Sequence, residues 1–372
     1  MNYDAITDQE MIFFLCSLPS LGYASVKRLF ERISPLHSLL LLPERELKKR
    51  VDLKEKQVFE LLSLRKNTES LHEAYLNLER EQISFLTPLD PDYPKKLLFT
   101  PDYPFGLFVK GSIPQDKKSV AIVGSRSATE YGLQMAEFLA KVLAEHDVDI
   151  ISGLALGIDA SAHRGALKAR GGKTYGVLGT GINICYPHEN FPLFRQLSQG
   201  ENGGILSEFF PGTNPLRINF PIRNRIISGL SDIVLVVEAR LRSGSLITAN
   251  HAIDQGRDVF ALPGRITDPL SLGCNRLIAE GAGILSSPAD ILEALELCHD
   301  KKLSIRQKTP NMLAKNEKVV YSCLDLKPKY IDDIMHETKM ELSPILNALL
   351  LLELEGYIVQ VSSHYYCKRV TI

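Results

Sequence analysis

The chain has no closely spaced cysteines. Cys16, Cys185, Cys274, Cys298, Cys323 and Cys367 are scattered through 372 residues without a single C-x-x-C, the pattern of reduced, packed thiols in a cytoplasm. It has almost no net charge, -1 at pH 7, so no chain-wide field announces a nucleic acid or a membrane surface. It also lacks a long hydrophobic run. Met11 to Cys16 is apolar but far shorter than a membrane span, and Asp4, Asp8 and Glu10 precede it where an export signal would carry cations. The expectation is a cytoplasmic protein with no membrane insertion.

The balance of 45% hydrophobic and 23% charged residues is that of a soluble globular protein, and the length implies two or three domains. Charge type says more than net charge. Between Asp116 and Asp290 there are 12 Arg and 5 Lys against 17 acidic residues, whereas the remainder has 8 Arg and 18 Lys. Arginine is favoured where bidentate phosphate contact, stacking or ion pairing is wanted, so this skew points either to a binding surface or to a network of internal ion pairs.

Residues 1–86 read as a helical domain, resembling a SAM or helix-hairpin-helix unit, with a turn at Gly22 followed by Lys27 and Arg28. Prolines recur from Thr87 to Pro114 and predict an extended connector with one strand at Phe105 to Val109. Short apolar strands are then expected at Val120 to Val123, Asp149 to Ile151, Thr174 to Leu178, Gly204 to Leu206, Ile233 to Val237 and Val259 to Ala261. Their alternation with helical or loop segments predicts an α/β fold, an extended Rossmann-like parallel sheet over 87–299. A polar linker (300–316) leads to a winged-helix-like module over 317–372. Its third helix, Glu341 to Glu355, has three glutamates and no Lys or Arg, which favours a protein-contacting or structural role over DNA reading.

Polar turns follow the strands, where ligands of such sheets bind. The first, Gly124-Ser125-Arg126, combines close backbone approach, a helix start and a permanent cation. The second runs from Ser152 through Gly153 to His163, with Asp159 and His163 four apart on one helix face in a helix-stabilising and site-ordering role. Lys173 enters the third strand. Gly179-Thr180-Gly181 leaves it without the third glycine of a dinucleotide fingerprint. Arg223-Asn224-Arg225, expected just before an apolar helix, forms a donor cluster in which one arginine could pair with Glu208 or Glu238. Arg242 and the turn Ser243-Gly244-Ser245 follow the fifth strand. No nucleophile elbow and no third metal ligand accompany these turns, so no catalytic residue, cofactor or metal is expected. Many phosphate donors with little acid–base machinery suit a run of single-stranded nucleic acid.

In order, GSRSATEYG, SGLALGIDASAH, GTGINICYP, FPIRNRIISGL, EARLRSGSLITA and GRDVFALPG resemble the DNA-processing protein A family (DprA or Smf), over about Tyr93 to Leu285. The resemblance implies a protein that binds single-stranded DNA, protects incoming strands and loads the RecA recombinase onto them in natural transformation. It places Arg126, Lys173, Gly153 and Arg223 to Arg225 in the DNA pocket, and it implies a homodimer formed through roughly Asn275 to Leu285, near the surface used for RecA. The alternative is a nucleotide phosphoribohydrolase of the lysine-decarboxylase-like group. The nearest match to that group's P-G-G-x-G-T turn is Pro263-Gly264-Arg265, which lacks the second glycine.

Overall fold

The structure, a computed structural model, describes residues 5–297 and 313–369. Among them, strands β1 (Ser84–Leu86), β2 (Leu107–Gly111), β3 (Ser119–Val123), β4 (Asp149–Ser152), β5 (Thr174–Val177), β6 (Gly203–Ser207), β7 (Ile233–Val236), β8 (Asp258–Ala261) and β9 (Gly283–Ile284) form one sheet. Its order is β1-β2-β6-β5-β4-β3-β7-β8-β9. β1, β2 and β6 pair antiparallel, and every neighbour from β6 to β9 is parallel.

The middle residues of β3, β4 and β7 are apolar because both faces are covered. Successive side chains point to opposite sides. Val120, Ile122, Ile150, Ile233 and Leu235 pack with Met135, Leu139 and Leu143 of the helix Glu130–Glu145. Ala121, Val123, Ile151, Val234 and Val236 pack instead with Ile226 and Ile227 of the helix Asn219–Gly229. The strand order reverses at β3, which lies between β4 and β7. In a doubly wound sheet this opens a crevice at the carboxyl ends, between the turns that leave β3 and β7.

The amino-terminal helices Asp8–Cys16, Tyr23–Arg32, Glu44–Arg50 and Glu55–Arg80 share a core with the sheet's antiparallel edge. Phe13 meets Phe85 and Phe108 edge-on, with ring centroids 5.4 and 6.1 Å away. The boundary expected after residue 86 therefore coincides with the end of β1, a strand of the sheet that pairs with β2 through Ser84, Phe85 and Leu86. That strand and the two-residue β9 are too short to be read from periodicity.

The linker 300–316 lies mostly outside the described residues, and the helix Lys315–Cys323 begins in its last two. With the helices Ile331–Thr338 and Leu342–Leu354 and the strands β10 (Lys329–Tyr330), β11 (Ile358–Ser362) and β12 (Tyr365–Lys368) it makes the expected winged helix. Val320, Ile334, Ile345, Leu349, Leu352 and Ile358 supply a separate core.

Candidate nucleic-acid interface

The crevice at the reversal point holds a cavity of about 790 Å³. Its floor is the turn Gly124-Ser125-Arg126 leaving β3. A Cβ on Gly124 would lie 2.6 Å from Ile158 Cγ1, so only glycine lets this turn pack against the next helix. That helix, Ile158–Lys168, starts after Gly157, whose φ of +76° admits it to the left-handed region and whose Cβ position lies 2.3 Å from the Ser125 carbonyl. The packing displays the Arg126 side chain at the surface, its guanidinium over the Phe220 ring at 5.3 Å from the centroid.

Arg223 is anchored quite differently. It is 3% exposed, and its Nη1 donates to the carbonyls of Gly153, at 2.8 Å, and Val177. Glycine at 153 leaves space for it, as a Cβ there would come within 2.6 Å of Arg223 Nη2. Asp159 accepts the N–H groups of Gly153 and Ala155 at 3.0 and 3.4 Å, which fixes the second turn. Burial lowers the Arg223 pKa to about 10, with Asp159 acting to raise it and Arg126 to lower it. Burial also raises that of Asp159, against the pull of Arg223 and the two N–H donors. Arg223 is thus a charged strut binding the β4 and β5 turns, and it also approaches Phe220, at 5.9 Å from the ring centroid.

Asn224 donates to the Gly244 carbonyl at 3.2 Å, tying this helix to the turn after β7. There Ser243 caps the helix Gly244–Asp254 by accepting the Ser245 N–H. Gly124, Ser125, Arg126, Arg223, Asn224, Ser243, Gly244 and Ser245 all line the cavity. Gly153 lines a smaller recess beside it, together with Arg126, Phe220 and Arg223.

Two predicted residues do not join them. Arg223 to Arg225 lie inside the helix Asn219–Gly229 and not before it, because the proline at 221 stands in the first turn, where its missing N–H costs nothing. Residues two apart on a helix point in nearly opposite directions, and Arg225 points away from the cavity, to Asp102 at 3.0 Å and Glu208 at 2.6 Å. Lys173 precedes β5 and so lies at the amino end of the sheet, where its charge acts on Asp149 at the start of β4. Carboxyl-end and amino-end residues of one strand are a strand's length apart. His163 is fully buried with Nδ1 2.7 Å from Thr174 Oγ1, and burial lowers its pKa to about 3.

Sequence reasoning missed Arg217 and Arg240, and it noted Arg242 without assigning it to the site. All three line the cavity, as do Tyr186 and Phe220. Arg240 and Arg242 could have been found from topology, because they follow the strand on one side of the reversal. The lining then holds five arginines against one carboxylate, Asp159. Such a set can bind several phosphates, and aromatic and aliphatic side chains between the cations offer faces for bases. No group of three or more His, Cys, Asp or Glu placed to hold a metal occurs among the described residues. Pro263, Gly264 and Arg265 line a different cleft, and Arg265 lies 3.8 Å from Asp325 of the winged helix.

Residues 84–296 match the family described as DNA recombination-mediator protein A, and residues 306–363 match the DprA winged helix domain. The DNA processing protein DprA of Streptococcus pneumoniae is 44% identical over 227 residues, which span 61% of this chain and 79% of the relative. Protein Smf of Escherichia coli is 47% identical over 213 residues, 57% of this chain and 56% of that protein. Among solved structures, that of the Streptococcus pneumoniae DprA superposes with a TM-score of 0.64 at 36% identity, covering 76% of this chain and 97% of the other. The Helicobacter pylori DNA processing protein A, whose structure was solved to explain its single-stranded DNA binding mode, superposes with a TM-score of 0.52 at 32% identity, covering 58% and 96%.

Proposed function

The chain belongs to the DNA recombination-mediator protein A family (DprA/Smf), and from that premise we infer that it grips single-stranded DNA by successive backbone phosphates along the carboxyl edge of its sheet. One observation carries this reading. At the strand-order reversal, Arg126, Arg217, Arg223, Arg240 and Arg242 converge on one cavity with the single carboxylate Asp159. Phosphates supply the charge that balances such a set, and each one held contributes to the salt dependence of binding. The Helicobacter pylori relative's single-stranded DNA binding supports the same ligand.

The protein acts as a mediator and not as an enzyme: it holds unpaired DNA and passes it to RecA during natural transformation, in the cytoplasm. It works as a homodimer joined near Asn275 to Leu285. The exposed Ile284 on edge strand β9 is consistent with a partner there.

Fluorescence anisotropy on a labelled poly-dT oligonucleotide from low to moderate salt tests the first claim. Affinity should fall steeply with salt, and weak binding that ignores salt would rule the phosphate grip out. Incubation with nucleoside monophosphates tests the phosphoribohydrolase, since release of free base would show hydrolysis. A RecA pull-down with and without single-stranded DNA tests the mediator step by itself.

A further inference from the structure

The third helix of the winged-helix module, Leu342–Leu354, presents an apolar stripe to solvent. Ile345, Ala348, Leu349 and Leu352 face inward and are buried. Outside that face Leu342, Leu346, Leu350, Leu351 and Leu354 are 46, 40, 56, 45 and 75% exposed. Four of them recur every four residues, so they form one continuous ridge along the helix. Scattered exposed leucines are ordinary, but a ridge of four with a fifth beside it is not.

The helix and its two flanking residues carry one sign of charge. Glu341 precedes the helix, Glu353 and Glu355 stand at its end, and the stretch from 341 to 355 contains no Lys or Arg. That excludes the DNA groove this helix would enter in a DNA-reading winged helix. It also disfavours a second copy, because antiparallel pairing of two such helices would set Glu341 against Glu353 and Glu355, and parallel pairing would align like with like. The area argues the same way. Five half-exposed leucines make a patch of a few hundred Å², well short of the roughly 800 Å² per partner of a standard stable interface. It matches the footprint of one helix.

We propose that this ridge is a docking site for an amphipathic helix of another protein, with an apolar stripe flanked by lysine or arginine. The leucine ridge supplies the contact area, and the glutamates at its two ends select the charge of the partner and its position along the ridge.

The test uses the full chain and two synthetic helical peptides. Both carry leucines at every third or fourth position, one with lysines flanking the stripe and the other with glutamates. Anisotropy should show saturable binding of the lysine peptide, about tenfold or more tighter than the glutamate peptide. The double substitution Leu346→Glu, Leu350→Glu changes only exposed positions and should abolish that binding while leaving poly-dT affinity unchanged. Glu341→Lys with Glu355→Lys should reverse the preference between the peptides. Equal binding of the two peptides, no binding of either, or undiminished binding by the leucine variant would overturn the proposal. So would sedimentation showing self-association that the leucine variant abolishes, because the face would then belong to a second copy.

Discussion

Arg223 Nη1 donates to the Gly153 carbonyl at 2.8 Å from inside the protein, whereas Arg126 stands over Phe220 at the surface. Two arginines of one cavity therefore have opposite dependencies. Arg126→Ala removes only the surface contact with Phe220 and should change stability by no more than about 1 kcal/mol. It should nevertheless weaken poly-dT binding by about tenfold to a hundredfold, since charge-assisted hydrogen bonds to phosphate disappear. The salt dependence should become shallower by about 0.7 for each phosphate that the variant no longer neutralises. Arg223→Ala leaves Asp159 buried without its compensating cation and should cost about 3–5 kcal/mol in urea denaturation. If the two variants shared one signature, the division into strut and surface cation would be mistaken.

Arg225 provides the complementary test. Its guanidinium is held by Asp102 and Glu208, and burial already raises the Glu208 pKa against the pull of Arg225. Arg225→Ala should therefore destabilise the fold by about 3–5 kcal/mol, the range for breaking a buried pair. The fraction that remains folded should bind poly-dT within about twofold of the unaltered chain, a difference under 0.5 kcal/mol. A stable variant that cannot bind would return Arg225 to the DNA-holding set.

These two arginines mark how far the sequence could be read. Strand positions were legible because runs such as Val120 to Val123 and Ile233 to Val236 are apolar on both faces. The turns were legible because Gly124 and Ser243-Gly244-Ser245 interrupt those runs with residues suited to tight backbone and helix caps. The direction of a side chain within a helix was not legible. Arg223 and Arg225 look equivalent as letters, but on a helix they differ by about 200° in bearing, and only the packed sheet decides which of them faces the crevice. Lys173 lies away from the cavity for a related reason, since its motif placed it beside a strand without saying at which end of the sheet. Arg217 was missed because it lies in an irregular loop with no periodicity to mark it.

Two buried groups should shape the stability profile with opposite signs. Burial raises the Asp149 pKa to about 6, more than Lys117, Lys173 and Lys96 lower it. A carboxyl with a raised folded pKa contributes stability that is complete below its unfolded value and lost as pH climbs through 6. Asp149→Asn should therefore gain on the unaltered chain from about pH 4 to 6, by about 2–3 kcal/mol in total. His163, with its pKa lowered to about 3, stays neutral in the fold. Unfolding then takes up a proton below about pH 6.5, and stability falls as the pH drops from there. Replacing His163 with Gln should flatten that acid limb, as seen by urea denaturation across the range. Parallel profiles for variant and parent would disprove either assignment.

Removing the winged helix separates its role from the cavity. Every residue lining the cavity lies between Val123 and Thr248, and the module has its own core. Deletion of 313–372 should leave poly-dT affinity within about threefold, a change under 1 kcal/mol. A folded truncation with no affinity would show that the module completes the site.

Gly153 gives the sharpest test of how the cavity is built. A Cβ there would sit 2.6 Å from Arg223 Nη2 and 2.7 Å from Asp159 Oδ2, two groups that cannot retreat together. Arg223 is held by the Gly153 and Val177 carbonyls, and Asp159 by the Gly153 and Ala155 N–H groups. Gly153→Ala should cost about 1–3 kcal/mol, the range for overpacking a filled site. It should weaken poly-dT binding as well, because moving Arg223 disturbs Phe220 and, through that ring, Arg126. The same substitution at Gly22, which lies outside the cavity and has nothing within 4 Å of its Cβ, serves as the control for reduced backbone freedom. Equal affinities for the two variants would mean that the strut does not set the position of the surface cations.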